Sequence, residues 1–291
     1  MRKYGRKVMA LFLTVTMAFS MAACGGKKES AEKENTTAAA DSKDENGEEA
    51  TEATSYKDTV IWGQGADVTS MDPHQGKETP SVEVTCNIFD TLTTINSATN
   101  EIEPQIAESW EQKDDKTYVF KIRQGIKFHD GSDLTAEDVK FSLERAIASA
   151  AVSYVVDFID TVEVNDDYTV TITTKEPYAP ILRNLAVPFA AIVPKAVVEK
   201  DEEGFKTNPV GSGPYKFVEW KQGDSVKLEA FDDYYAGAPK TKYLEMKVIP
   251  EAAQRTIALE TGEIDLAYDI IANDLDKVKD NPDLQLFEAP S

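Results

Sequence analysis

Histidine and cysteine are scarce in this chain, with two of each among 291 residues. With His74 and His129 far apart and no H-x-x-x-H spacing, the sequence lacks the clustered Cys and His ligands of a zinc site. Positive charge is also in deficit. Thirty-one Lys and Arg face 52 Asp and Glu, for a net charge of -21. That balance argues against an electrostatic grip on nucleic-acid phosphates and mainly keeps the chain soluble. Two common loop motifs are missing as well: GSGPY at 211–215 lacks the G-x-x-x-x-G-K-[ST] pattern of a phosphate loop, and Ser212 does not sit in G-x-S-x-G. No internal repeat is visible.

Long uncharged runs are missing too, apart from one at the start. MRKYGRK supplies four positive charges, VMALFLTVTMAF a short apolar segment, and small Ala22 and Ala23 precede Cys24. This order predicts a secretory signal over residues 1–23. MAAC resembles a bacterial lipobox, with Met21 where leucine is usual, which makes Cys24 the expected lipidation site and new N-terminus. The other reading is an uncleaved anchor, since the uncharged run Val8–Cys24 is 17 residues, at the bottom of the span a bilayer requires. With Cys24 acylated, Cys86 has no intrachain disulfide partner; Val82, Phe89 and Thr93 at helical spacing around it predict that it packs as a small hydrophobe. Residues 24–57 are acidic and nearly free of large apolar side chains, so they read as a disordered linker.

Folded sequence begins near Asp58. TVIWGQ reads as a strand, and Thr79 and Pro80 as the N-cap and first position of a helix through VEVTCNIFDTL. Three hairpins follow from period-two alternation: SWEQ with TYVFKIR, TVEV with YTVTIT, and PYKFVEW with SVKLEAF. DLTAEDVKFSLERAI carries Val139, Leu143 and Ile147 at helical spacing, and EAAQRTIALETG ends on Gly262, a C-terminal cap; strands EMKVIP and EIDLAY bracket that last helix. Hairpins interleaved with helices define a mixed α/β (α+β) class.

His129 beside Asp130 invites a catalytic reading. A general base needs a substrate proton or nucleophile within hydrogen-bond reach, and nothing nearby in sequence supplies one. The local grammar is structural instead. Asp130-Gly131 is a turn dipeptide, Thr135 an N-cap followed by Glu137 and Asp138, and Leu134 with Val139 occupy the two hydrophobic-staple positions. The glycines of GSGPY are read as permitting a tight chain crossing ahead of a strand.

AESWEQKDDKTYVFKIRQGIKFHDGSDLTAEDVKFSLERA resembles the signature of the family 5 extracytoplasmic solute-binding proteins, the peptide- and nickel-binding subunits of ABC importers. So do SMDPHQG at 70–76, NPVGSGPYKFVEWKQGDSVKLEAFDDYYAGAP at 208–239 and VIPEAAQRTIALETGEIDLA at 248–267. The resemblance implies a periplasmic-binding-protein-like type II clamp. Of that clamp this chain holds lobe one: a discontinuous core over about 58–90 and 195–291 and an inserted subdomain over about 91–194, with the second lobe expected past residue 291. It implies a peptide or other small solute as ligand, a permease and an ATPase as partners, a lipid anchor in the membrane, no cofactor, no metal and no catalytic cycle. The ligand loop of peptide-binding relatives maps onto His74 to Thr79, so Lys77, Glu78 and Thr79 are candidate contacts, using backbone as well as side chains. Tyr154 follows the signature helix where relatives carry cleft aromatics; its alternative is core packing. Two other functions stay open at this point: a nickel or other solute in the same family, and a secreted hydrolase or sensor lipoprotein.

Overall fold

The structure is a computed structural model and describes residues 56–268 and 270–287; the expected signal, Cys24 and nearly all of the linker lie outside the described residues. The strands are β1 (Thr59–Gln64), β2 (Thr93–Ile95), β3 (Ile102–Pro104), β4 (Ala107–Gln112), β5 (Thr117–Ile122), β6 (Ile159–Asp166), β7 (Thr169–Thr174), β8 (Tyr215–Lys221), β9 (Ser225–Ala230), β10 (Tyr243–Val248) and β11 (Leu266–Ala267). The helices are α1 (Thr79–Ile88), α2 (Ala136–Ala148), α3 (Ile181–Asn184), α4 (Lys195–Lys200), α5 (Glu202–Phe205), α6 (Ala252–Glu260) and α7 (Leu275–Asp280).

Two sheets carry the architecture. The first has the order β11-β1-β10-β9-β8. In it β1 runs parallel to both β10 and β11, while β10, β9 and β8 form an antiparallel run. The second is antiparallel throughout, in the order β4-β5-β7-β6, and a two-stranded ribbon pairs β2 with β3. All three expected hairpins form. In β5, Tyr118, Phe120 and Ile122 are buried while Lys121 is exposed, the alternation that a half-buried strand demands. Its turn is tied by Asp114, whose Oδ1 accepts from the backbone N–H groups of Lys116 and Thr117, both at 2.9 Å.

Helix α2 starts as its sequence requires. Asp138 Oδ2 accepts from the Thr135 backbone N–H at 2.9 Å and from its hydroxyl at 3.1 Å, and Leu134 and Val139 are both fully buried. Val139, Leu143 and Ala146 then line the inner face. Gly262, just past α6, has φ +73°, a conformation glycine adopts without strain.

Two buried clusters divide the interior. One gathers the four-stranded sheet and α2 around Phe120, Phe128 and Leu143; the other gathers Met71, Val84, Ile88, Phe205 and Met246 against the five-stranded sheet. The chain passes between them twice. Phe89 belongs to one cluster and Leu92 to the other, and on the return Ile192 and Val193 are divided the same way. The Ile192 N–H donates to Asp90 O at 2.9 Å and ties the two passages together.

Three local expectations are corrected. Cys86 is exposed instead of packed: Phe89 lies beyond the end of α1, which leaves the cysteine side of the helix uncovered, and its Sγ meets Glu83 O at 3.3 Å and Asn87 Nδ2 at 3.7 Å. Helix α1 begins at Thr79, with extended Glu78 ahead of it, and ends at Ile88, with extended Phe89 after it, so the cap falls one residue earlier than expected and the helix stops short of Leu92. EIDLAY forms only the two-residue β11, because only Leu266 and Ala267 reach a partner in β1.

Candidate ligand-binding site

Strands β1, β10 and β11 are parallel, so their carboxyl ends lie on one side of the sheet. In open α/β sheets, ligands meet the protein at that edge. From the end of β1 the chain enters a loop that runs from Gly65 to Glu78 before α1 begins. The loop is braced from within. Ser81 Oγ accepts from the Thr69 N–H at 3.1 Å, and Glu78 Oε2 accepts from the Thr69 hydroxyl at 2.8 Å and the Lys77 N–H at 3.2 Å. The N–H groups of Gln75 and Gly76 both donate to Asp72 O.

Beneath the loop lies a buried polar anchor. Asp72 is fully buried, and Arg145 of α2 grips it with two bonds, Nη1 to Oδ1 at 2.8 Å and Nη2 to Oδ2 at 2.6 Å. His74, also buried, sits in the same group: its Nε2 is 3.0 Å from Ala191 O and its Nδ1 is 3.0 Å from Arg145 Nη1. Arginine can only donate, so Nδ1 accepts and Nε2 carries the proton. Burial is the main cause that holds this imidazole neutral, with its pKa lowered to about 4; Asp72 pulls it upward and Arg145 pushes it down. Arg145 Nη2 also reaches Glu202 Oε1 at 2.9 Å, and Ser149, just past α2, donates from its hydroxyl to His74 O at 2.6 Å.

This anchor fixes the loop at 74–79 beside the turn after α2. Between them opens a depression of about 430 Å³, lined by His74, Gln75, Arg145, Ser149, Ala151 and Glu202 among others. Lys77, Glu78 and Thr79 are exposed on the loop. Tyr154 stands on the turn Ser153–Val155, 63% exposed, in an edge-on arrangement with Phe189 with ring centroids 6.4 Å apart. The core-packing alternative for Tyr154 is therefore overturned: Val155 takes the inward position of that turn. The loop presents exposed Lys77, Glu78 and Thr79, and because the Lys77 N–H is taken by Glu78 Oε2, the N–H of Thr79 at the start of α1 is the main-chain donor without an acceptor in its helix. Sequence reasoning missed Asp72, Arg145 and Glu202. No local pattern signals them, because Asp72 in SMDP and Arg145 in FSLERA are separated by 73 positions.

His129 lies elsewhere and is already engaged. Its Nε2 is 2.9 Å from Gly213 O, the Gly211 N–H donates to Nδ1 at 3.3 Å, and its ring meets Phe231 edge-on at 5.0 Å. Its pKa is lowered to about 4, chiefly by burial. Asp130 bonds the backbone and hydroxyl of Ser132, at 3.0 and 2.6 Å. The pair closes a turn and pins the Gly211–Gly213 crossing. There a Cβ on Gly211 would fall 2.0 Å from Ile88 O, so only glycine fits.

A mixed α/β lobe with parallel strands ending at a loop and an exposed cleft edge defines a class, the type II periplasmic-binding-protein fold. The profile of the bacterial extracellular solute-binding proteins, family 5 (middle region) matches residues 101–291, and the chain belongs to that family. The chain is 35% identical over 240 residues to the glutathione-binding protein GsiB of Pectobacterium atrosepticum, covering 81% of this chain and 46% of that protein. Among solved structures it resembles DppA of Helicobacter pylori in complex with peptide STSA, with TM-score 0.70 and 32% identity over 77% of this chain and 49% of that one. It also resembles NikZ of Campylobacter jejuni in complex with Ni(L-His), with TM-score 0.70 and 30% identity over 78% of this chain and 46% of that one. The chain spans about half the length of these relatives.

Proposed function

We propose that this chain forms the loop-bearing lobe of a solute-capture protein that holds short peptides outside the cytoplasmic membrane for an ABC importer. The observation that carries the peptide reading is the exposed segment Lys77–Thr79, on a loop held in place by Asp72 and Arg145. A backbone grip of this kind accepts varied side chains because main-chain hydrogen bonds are blind to sequence. The peptide-like ligands named for GsiB and DppA support it. In this reading ligand binding favours a closed clamp that a permease recognises, while an ATPase drives transport; the chain itself performs no catalysis. Cys24 carries the lipid that holds it at the membrane. Among the described residues no helix is long and apolar enough to cross a bilayer. The two buried clusters support a division into a core over 58–90 and 195–291 and an inserted subdomain over 91–194.

Thr79→Pro tests the backbone grip. Thr79 is the first residue of α1, where the N–H has no acceptor within the helix and proline is tolerated. The substitution removes that one donor and leaves the helix intact. The expected result is a loss of labelled-peptide uptake by cells expressing the variant, with unchanged expression and melting temperature. Uptake equal to wild type from Thr79→Pro and Tyr154→Ala alike would defeat the proposed contacts.

A further inference from the structure

At the edge of the four-stranded sheet, away from the loop at 74–79, lies a second depression of about 520 Å³. Three aromatic residues from three chain segments line it: Trp110 on β4, Tyr118 on β5 and Tyr178 ahead of α3. Trp110 and Tyr178 are half-buried and Tyr118 is buried, so the walls are set by the core and do not depend on a ligand to order them. Tyr178 is further fixed by stacking on Phe158, with ring centroids 4.4 Å apart at 14°, and its hydroxyl is 3.2 Å from Asn184 Nδ2. Apolar Pro177, Ala179, Ile181 and Leu182 complete the wall, and Gln112 and Asp115 are its polar members.

The polar part of this rim is acidic. Asp115 is exposed on the β4–β5 turn, and the lysines on either side of it are engaged elsewhere, Lys113 with Glu111 at 2.5 Å and Lys116 with Glu176 at 3.2 Å. Aromatic faces carry partial negative charge and attract cations, best when a carboxylate stands beside them. The net charge of -21 adds a long-range field of the same sense. The Asp115 carboxylate favours a cation over a neutral or anionic ligand of the same shape. We propose that the Trp110–Tyr118–Tyr178 depression is a second binding site, independent of the peptide cleft, for a quaternary ammonium group such as that of choline.

Calorimetric titration of the full chain with choline chloride tests this against 3,3-dimethylbutan-1-ol, the neutral carbon isostere of choline. Choline is expected to bind about tenfold more tightly than the isostere, the range a desolvated cation–π contact supplies. Trp110→Ala should abolish binding. Because Trp110 packs near Phe120, with centroids 6.4 Å apart, Asp115→Asn on the exposed turn serves as the variant that leaves the core untouched; it should weaken choline severalfold and leave the isostere unchanged. Sedimentation with phosphatidylcholine vesicles, set against free choline, assigns the source as a lipid headgroup or a soluble solute, and binding to either supports the site. Equal affinity for choline and its isostere, an unchanged titration in both variants, or no binding at millimolar choline would overturn it.

Discussion

Arg145 and Asp72 form a two-pronged ion pair at 2.8 and 2.6 Å that joins α2 to the loop before α1 across 73 positions of chain. Asp72 has no exposure to water, and the Arg145 side chain keeps only 12%. Removing one partner of such a pair strands the other charge in a low-dielectric interior, at about 3–5 kcal/mol. Arg145→Ala is therefore expected to lower the urea midpoint sharply and loosen the loop at 74–79, measured by equilibrium denaturation and by amide exchange at Lys77 and Glu78. The exposed i,i+4 pair of Lys140 with Glu144, at 3.8 Å, is the control: Lys140→Ala should cost about 0.5 kcal/mol or less.

His74 is buried and His129 half-buried, and both are neutral with pKa values near 4, below the ordinary 6.5. The unfolded chain therefore takes up protons first as pH falls. Their stabilising contribution is complete above pH 6.5 and is lost between pH 6.5 and 4. Each is expected to contribute on the order of 3 kcal/mol over that window. Urea midpoints should fall from pH 7 to pH 4.5, and His129→Gln, which can keep one of the two backbone bonds, should flatten the fall. A catalytic His129 would instead show selective loss of a turnover with stability intact.

Asp90 works in the opposite direction. It is 2% exposed, and burial raises its carboxyl to about pKa 6, against the pull of the Tyr235 and Tyr234 hydroxyls and the 2.7 Å bond from Gln105 Nε2. A raised carboxyl favours the folded state most when protonated, so its contribution is present below pH 3.8 and lost as pH rises to 6. Asp90→Asn keeps an acceptor for Gln105 and removes the charge. It should stabilise the protein at pH 7 by about 2 kcal/mol and make the acid-side decline steeper, because the group that offset the histidines is gone.

Local grammar was legible and long-range pairing was not. The β4–β5 hairpin and the capped start of α2 depend on neighbours a few positions apart, and the residues that build them, Asp114 and Asp138, are of the types such turns require. The resemblance named Lys77–Thr79 as ligand contacts, and the structure has these residues exposed on the loop before α1. What fixes that loop was invisible, because Asp72, Arg145 and Glu202 meet only after the chain has closed on itself. Cys86 failed for a related reason: helical spacing shows which residues share a face and not which face is covered.

The crossing at Gly211 gives the most severe prediction. His129 N donates to Gly211 O at 2.8 Å and the Gly213 N–H donates to Ile88 O at 2.8 Å, so the segment is sewn to two parts of the chain at once. A methyl group on Gly211 would lie 2.0 Å from Ile88 O and 2.8 Å from Phe89 Cδ1. Backbone oxygen cannot step aside as a flexible side chain can, so relief requires the end of α1 to move and its bonds to this crossing to break. Gly211→Ala is expected to cost about 3 kcal/mol or more, beyond ordinary overpacking because hydrogen bonds are lost as well. Gly223→Ala, at a turn with φ +74° but open space around it, should cost about 1 kcal/mol from backbone strain alone. Thermal melts of the two variants side by side separate steric exclusion from conformational strain, and equal losses would show that the 211–213 approach to Ile88 is looser than its geometry states.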